Sequence, residues 1–273
     1  MKFFYLINFL KFIFYLFFNL FKNKPFVVVT PAFIGIMIKK TIIFDNKSKT
    51  FFSIKIRNKF DMITVFEIFG GDFYNIKNLK ISDEIFNIIS IIKNKNLKPL
   101  IIDCGANIGC SGIYFKNLID NCYVVNIEPD YYNFLLLSEN CKSKNFDNIN
   151  SAVSSTQMPY EVINSNKDNR AYQVKKIKVG EKKTITIDQI IKKQNNNLKP
   201  FLIKIDIEGF EKDVFSQNTD WINEFKIIII EIHDWMLPGQ NCSENFIKAV
   251  SNMRKDLILK GENLILINNN YNC

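Results

Sequence analysis

The period of the hydrophobic pattern changes along the chain, and each change marks a different kind of element. From residue 100 onward, apolar runs of strand length at 100–102, 123–127, 149–153, 201–207 and 226–232 alternate with amphipathic stretches. Helices are expected over 108–119, from Asp130 to about residue 144, and over 243–260, before a last strand at 263–267. Unbroken apolar runs suit strands buried on both faces, so the alternation predicts an α/β domain with a mostly parallel, doubly wound sheet. Upstream, residues 41–44, 51–56 and 62–68 read as short strands separated by Asp45-Asn46 and Gly70-Gly71. Residues 82–92 read as a helix capped by Ser82, and the whole stretch as a small β-rich cap. In residues 1–24, Tyr5, Asn8, Lys11, Tyr15, Asn19 and Lys22 recur at steps of three or four and form one polar face on a Phe- and Leu-rich helix. Lys11 in its middle favours peripheral membrane contact over a spanning segment, with packing on the domain or on a second subunit as the alternative. The expected organisation is an N-terminal helix at 1–25, a cap at 26–95 and a main domain at 96–273.

The densest chemistry follows the run at 100–102. Asp103 ends that strand, and glycines 105, 109 and 112 follow in D-C-G-A-N-I-G-C-S-G, the make-up of a nucleotide-binding turn leading into a helix. A dinucleotide and S-adenosylmethionine (SAM) both use such turns. A carboxylate at the strand end repels a pyrophosphate but suits the ammonium of a methionine moiety, and the glycine spacing departs from G-x-G-x-x-G. The next strand ends in Glu128-Pro129-Asp130, where an acid accepts hydrogen bonds from ribose hydroxyls, and Asp130 is placed to cap the following helix. The third strand continues into Ser151-Ala152-Val153-Ser154, beside the expected adenine position.

Two further strands end on the same edge, one in Asp206, Glu208 and Gly209, the other in Glu231, His233 and Asp234. Strand alternation puts Lys204, Asp206 and Glu208 on one face, where charges need either a partner or a task. A Lys204–Asp206 ion pair is the purely structural reading. The functional one gives Asp206, Glu208 and His233 a task at this ligand-binding edge. Asp206 and Glu208 alone are too few ligands to assign a metal. In the cap, Asp61, Glu67, Asp72 and Tyr74 read as solvated loop residues in preference to a lid over the site.

Composition narrows the field without choosing a substrate. The 273 residues are 47% hydrophobic and carry a formal charge of +9, but Lys, Asn, Ile and Phe are spread along the chain. The basic cluster at Lys175, Lys176, Lys178, Lys182 and Lys183 lacks interleaved aromatics, so no nucleic-acid partner is expected. Six cysteines without a C-x-x-C pair, and a single histidine, suggest neither a zinc knuckle nor a disulfide framework. Reduced thiols and a cytoplasmic location are expected.

The segments I-I-D-C-G-A-N-I-G, I-E-P-D, T-I-D-Q-I-I, L-I-K-I-D-I-E-G-F-E-K-D-V and I-I-E-I-H resemble the FkbM family of SAM-dependent methyltransferases over about residues 95–236. The resemblance implies a Rossmann-like class I methyltransferase sheet and O-methylation of a sugar, glycan or related small-molecule hydroxyl. It implies that Asp103, Gly105, Asn107, Gly109 and Glu128 hold SAM; Asp130, Ser151 and Ala152, at the same edge, are expected to complete the cofactor-binding set. Asp206, Glu208 and His233 would face the acceptor. An NAD(P)-linked oxidoreductase and a non-catalytic, membrane-associated binding protein on the same fold remain as alternatives.

Overall fold

The computed structural model describes residues 12–13, 24–71, 73–163 and 168–273. The helix expected over 1–25 therefore falls almost wholly outside the described residues, as do Asp72 and residues 164–167. No described helix is long and apolar enough to cross a membrane. The chain separates into two compact units, Met1–Asn75 and Ile76–Cys273.

In the first unit, β1 (Phe26–Val28), β2 (Lys40–Asp45) and β3 (Thr50–Lys55) form an antiparallel sheet in that order. Helix α1 (Ala32–Ile38) connects the first two. The strand expected over 62–68 is instead helix α2 (Lys59–Val65) running into a π-helical turn at Phe66–Gly70. Local capping overrides the β-like composition here. The Asn58 side chain accepts from the amides of Phe60 and Asp61, at 2.9 and 3.1 Å, and Arg57 donates through Nε and Nη2 to Asp61, both at 2.9 Å. Asp61 is thus a buried structural carboxylate and Tyr74 a buried ring, where solvated loop residues were expected.

The second unit opens with α3 (Ser82–Asn94). Ser82 makes no capping bond; Ile81 stands at the cap position. The sheet that follows comprises β4 (Lys98–Cys104), β5 (Tyr123–Ile127), β6 (Phe146–Ile149), β9 (Leu198–Ile205), β10 (Ile227–Glu231), β11 (Lys255–Lys260) and β12 (Asn263–Asn268), in the order β11-β12-β10-β9-β4-β5-β6. The β6-β5-β4-β9-β10 part is parallel, and β12 lies antiparallel to both its neighbours. Its core strands carry the unbroken Ile, Leu and Val runs because both faces are covered. Leu100, Ile102, Ile203, Ile205, Ile228 and Ile230 share one cluster with Phe215, Trp221 and Phe246, while Ile101, Leu202 and Ile229 are equally buried.

The sheet order reverses at β4, from which one branch runs through β5 and the other through β9. A crevice at the carboxyl ends of such a switch is where open α/β sheets bind ligands. Helices α4 (Cys110–Leu118), α5 (Tyr131–Asn140) and α8 (Glu244–Val250) follow strand ends as expected. Two boundaries differ. The third strand stops at Ile149, so residues 150–154 form a loop with one bridge from Val153 to Ile185. The helix expected over 243–260 ends at Val250 and gives way to β11. Edge strand β11 turns Leu257 and Leu259 outward, which hid the usual polar-out alternation. The chain between β6 and β9 forms an insertion with a hairpin of β7 (Tyr160–Ile163) and β8 (Gln173–Lys176), followed by α6 (Ile187–Lys193) under a capping box of Thr186 and Gln189. Asp213, in the short helix α7 (Glu211–Val214), pairs with Lys176 and accepts from Ser154 Oγ, tying the insertion to the strand edge.

Gly105 has φ +80°, and a Cβ there would lie 1.8 Å from the carbonyl oxygen of Asp206. Gly239 has a similar φ, +82°, with nothing within 4 Å of its Cβ position. Gly105→Ala is therefore expected to destabilise the protein by ~3 kcal/mol or more, against ~1 kcal/mol for Gly239→Ala. Thermal unfolding of the two variants side by side checks this; equal losses would mean that β4 and β9 do not approach as described.

Candidate functional site

The turn after β4 is held from below by Lys204. Its ammonium lies 3.2 Å from Asp103 Oδ1 and 3.3 Å from Asp206 Oδ2, and donates to the carbonyl of Gly105 at 3.0 Å. Lys204 is 2% exposed and Asp103 0%. The other oxygen of Asp103 accepts from Ser111 Oγ on α4. Asp103 is thus hydrogen-bonded through Oδ2, while Oδ1, which lacks a hydrogen-bond partner among the described residues, is ion-paired with Lys204, so a ligand ammonium would compete with Lys204 for it. Gly105 and Ala106 donate their amides to the carbonyl of Ile127, both at 3.0 Å, locking the turn to β5. Left-handed backbone at Gly105, Asn107 (φ +50°) and Gly109 (φ +90°) reverses the chain into α4. At Gly109 a Cβ would meet Cys141 Sγ at 2.7 Å, so this glycine also serves close packing against the end of α5.

Glu128, at the end of β5, reaches back to that turn. Oε2 accepts from the amide of Asn107 at 2.8 Å and Oε1 from the amide of Asp130 at 2.9 Å. Burial pushes its pKa up, with the two amides pulling partly the other way, to about 7. Each carboxylate oxygen has a second lone-pair position, so Glu128 retains acceptor capacity. Among the described residues, Asn107 Oδ1 is buried and has no hydrogen-bond partner. Asp130 caps α5 by accepting from the amide of Asn133 at 2.8 Å. Ser151 and Ala152 are buried in the loop after β6, with Ser151 Oγ donating to the carbonyl of Lys183 at 3.0 Å.

The second half of the site sits where β9 and β10 end. Beyond Ile205 the chain leaves the sheet, and Glu208 (φ +56°) and Gly209 (φ +99°) both adopt left-handed backbone. A non-glycine residue held in this conformation requires surroundings that over-determine it. Glu211 supplies them: its Oε1 accepts from the amide of Gly209 at 3.2 Å and of Ile207 at 3.4 Å, and lies 2.9 Å from His233 Nδ1. With Nδ1 so anchored, Nε2 faces Asp206 Oδ1 at 3.7 Å, Glu208 Oε2 at 3.6 Å and Glu231 Oε1 at 3.6 Å. Burial lowers the pKa of His233, but the hydrogen bond and charge of Glu211, joined by Asp206 and Glu208, outweigh it and raise the value to about 9. Glu208 is pushed up to about 7 by burial and then by Asp206, and Glu231 is raised by the same causes.

The strand-edge residues singled out from sequence therefore fall into two connected groups, with Lys204 touching both. The Lys204–Asp206 pair and the cluster around His233 coexist, so the structural and functional readings are not exclusive. Strand alternation is not what brings Glu208 to Asp206, because the strand has already ended; the left-handed turn does it. Glu211 was missed as a site residue although it lies in the quoted D-I-E-G-F-E segment. Its signal was an acid three positions after Glu208 at the start of a helix. Asp234 turns away and accepts from the amides of Cys242 and Ser243.

A parallel sheet of this order with an antiparallel last strand inside its far edge, a glycine turn after the central strand and an acid at the end of its neighbour define a Rossmann-like class I methyltransferase. A family model described as "Methyltransferase FkbM domain" matches residues 103–258, and the chain belongs to that family of SAM-dependent methyltransferases. Similar solved structures include a precorrin-6y C5,15-methyltransferase from Geobacter metallireducens, 10% identical, covering 66% of this chain and 86% of that one, with a TM-score of 0.36. A putative O-methyltransferase from Klebsiella pneumoniae is 10% identical, covering 76% and 89% with a TM-score of 0.39. A putative caffeoyl-CoA O-methyltransferase from Staphylococcus aureus is 14% identical, covering 68% and 82% with a TM-score of 0.36. No curated protein matches the chain.

His233 is the only histidine, so its imidazole signal is unambiguous in NMR. In chelator-treated protein it should titrate near pH 9, and Glu211→Gln should move that value down. Because the folded-state pKa is raised, the stability it contributes is complete below about pH 6.5 and is lost as the pH rises through about 9. A titration near 6.5, unmoved by Glu211→Gln, would contradict the assigned geometry.

Proposed function

We propose that this methyltransferase is an O-methyltransferase acting on a hydroxyl of a sugar, glycan or related small molecule. The observation that carries this reading is the convergence of Asp206, Glu208 and His233 at the strand ends next to the glycine turn, with Lys204 bonded to carboxylates on both sides. SAM, when bound, supplies an electrophilic methyl on a sulfonium. The chain's own groups fit it: Asn107 Oδ1 is a buried acceptor awaiting a donor, and Glu128 can accept from ribose hydroxyls beyond its two amides. Ser151 and Ala152 lie on the loop expected beside the adenine.

On the acceptor side the task is to orient a hydroxyl for in-line attack and to remove its proton. Positioning supplies most of the rate, and a base adds ~10²- to 10⁴-fold. His233, held as an imidazolium by its ring of carboxylates, is suited to orient and to balance charge. Glu208, partly exposed and with a pKa near 7, is the group matched to accept a proton at neutral pH. Asp206 stays bound to Lys204 and keeps the wall in place.

The test separates the two sides of the site. Asp206→Asn, Glu208→Gln and His233→Asn should each bind SAM nearly as the wild type does, yet lose turnover on a hydroxyl acceptor, with Glu208→Gln losing ~10²-fold or more and recovering partly at high pH. Candidate acceptors are screened with radiolabelled SAM. Wild-type turnover in all three variants would remove the wall from catalysis and leave the ion pair as its explanation.

A further inference from the structure

The cluster around His233 has the make-up of a metal centre as well as of an acid–base wall. One donor atom each from Asp206, Glu208 and His233 lies within 4.8 Å of the other two. Donors each ~2.1 Å from one cation lie roughly 3–4.2 Å apart, so little movement closes the set onto an ion. Two features distinguish it from a chance group of acids. First, the imidazole is 2% exposed and its Nε2 points at three carboxylate oxygens, 3.6–3.7 Å away, none within hydrogen-bond distance. The three oxygens surround Nε2 at nearly equal distance, the arrangement of ligands around a shared ion and not of a single directed hydrogen bond. Second, Glu211 takes the other ring nitrogen at 2.9 Å while being itself fully buried and bound to two backbone amides. A metal-ligating histidine characteristically gives its second nitrogen to a carboxylate in this way, which fixes the ring and raises its basicity.

We infer that Asp206, Glu208 and His233 Nε2 bind a divalent transition-metal ion, with Glu231 beside them. One imidazole with carboxylates favours Mn²⁺ or a similar ion over Mg²⁺ or Ca²⁺, which prefer all-oxygen sites. Among the described residues, the acids Asp206, Glu208, Glu211 and Glu231 outnumber the cations Lys204 and His233 at this edge, which favours a dication that takes the place of bound protons. Binding displaces the proton from Nε2. The ion's catalytic part, unlike its binding, rests on the methyl-transfer reading: a coordinated hydroxyl ionises more readily, and a carboxylate bound through one oxygen keeps its other for the proton. Glu208 can therefore serve as ligand and base together.

The experiment titrates Mn²⁺ into the full chain after chelator treatment, following the free-ion EPR signal and, in the bound state, the electron spin-echo modulation from nitrogen. One ion per chain is expected, with ¹⁴N modulation from the imidazole that disappears in His233→Asn. Glu208→Gln, at a more exposed position and easier to accommodate, should weaken the ion about tenfold or more while leaving SAM affinity unchanged. Mg²⁺ should compete poorly. Absence of binding at about 1 mM Mn²⁺, affinity unmoved by Glu208→Gln, or bound Mn²⁺ without nitrogen modulation overturns the proposal. Since the readout is ion binding, its failure leaves methyl transfer standing, and a failure of methyl transfer leaves it standing.

Discussion

A single buried ammonium organises the ligand edge of this sheet. Lys204 lies on the central strand pair, where hydrophobic residues would ordinarily stand, ion-paired with Asp103 and Asp206 and donating to the carbonyl of Gly105. Burying a lysine is costly unless its charge is paired, and here the pairing comes from two carboxylates of the same edge, with one hydrogen bond to the Gly105 carbonyl. Removing the lysine would leave Asp103 as an uncompensated buried carboxylate, at a cost of ~3–5 kcal/mol. The glycine turn, the ends of β4 and β9, and the cluster around His233 therefore stand or fall together.

Glu211, also fully buried, holds the neighbouring half of the edge in the same way. It closes the left-handed turn at Glu208 and Gly209 and holds the imidazole of His233. Its neighbours show the consequence of crowding acids in a partly dry edge: Glu208 is raised toward neutrality and His233 is held protonated. A group of acids with spread-out pKa values and one imidazole can exchange protons near neutral pH, and can exchange them for a cation.

Much of this was legible from residues alone, because parallel strands buried on both faces announce themselves as unbroken apolar runs and their carboxyl ends hold the polar residues. The core strands and the clustering of Asp103, Glu128, Asp206, Glu208 and His233 at one edge followed from that. Features set by tertiary context were less visible. Helix α2 depended on the Asn58 cap and the Arg57–Asp61 pair, neither of which hydrophobic periodicity registers. Edge strand β11 displays Leu257 and Leu259 outward and so mimics the apolar stripe of a helix. The burial of Asp103 beneath Lys204, and the role of Glu211, depend on distances across the fold that no local spacing encodes.

The central claim is that this edge, organised by Lys204, is a SAM site and not a dinucleotide site. Isothermal titration of the wild-type protein with SAM, and separately with NADH, tests it most directly. The account predicts saturable binding of SAM at one site per chain and none of NADH. Saturable NADH binding without SAM binding would contradict it.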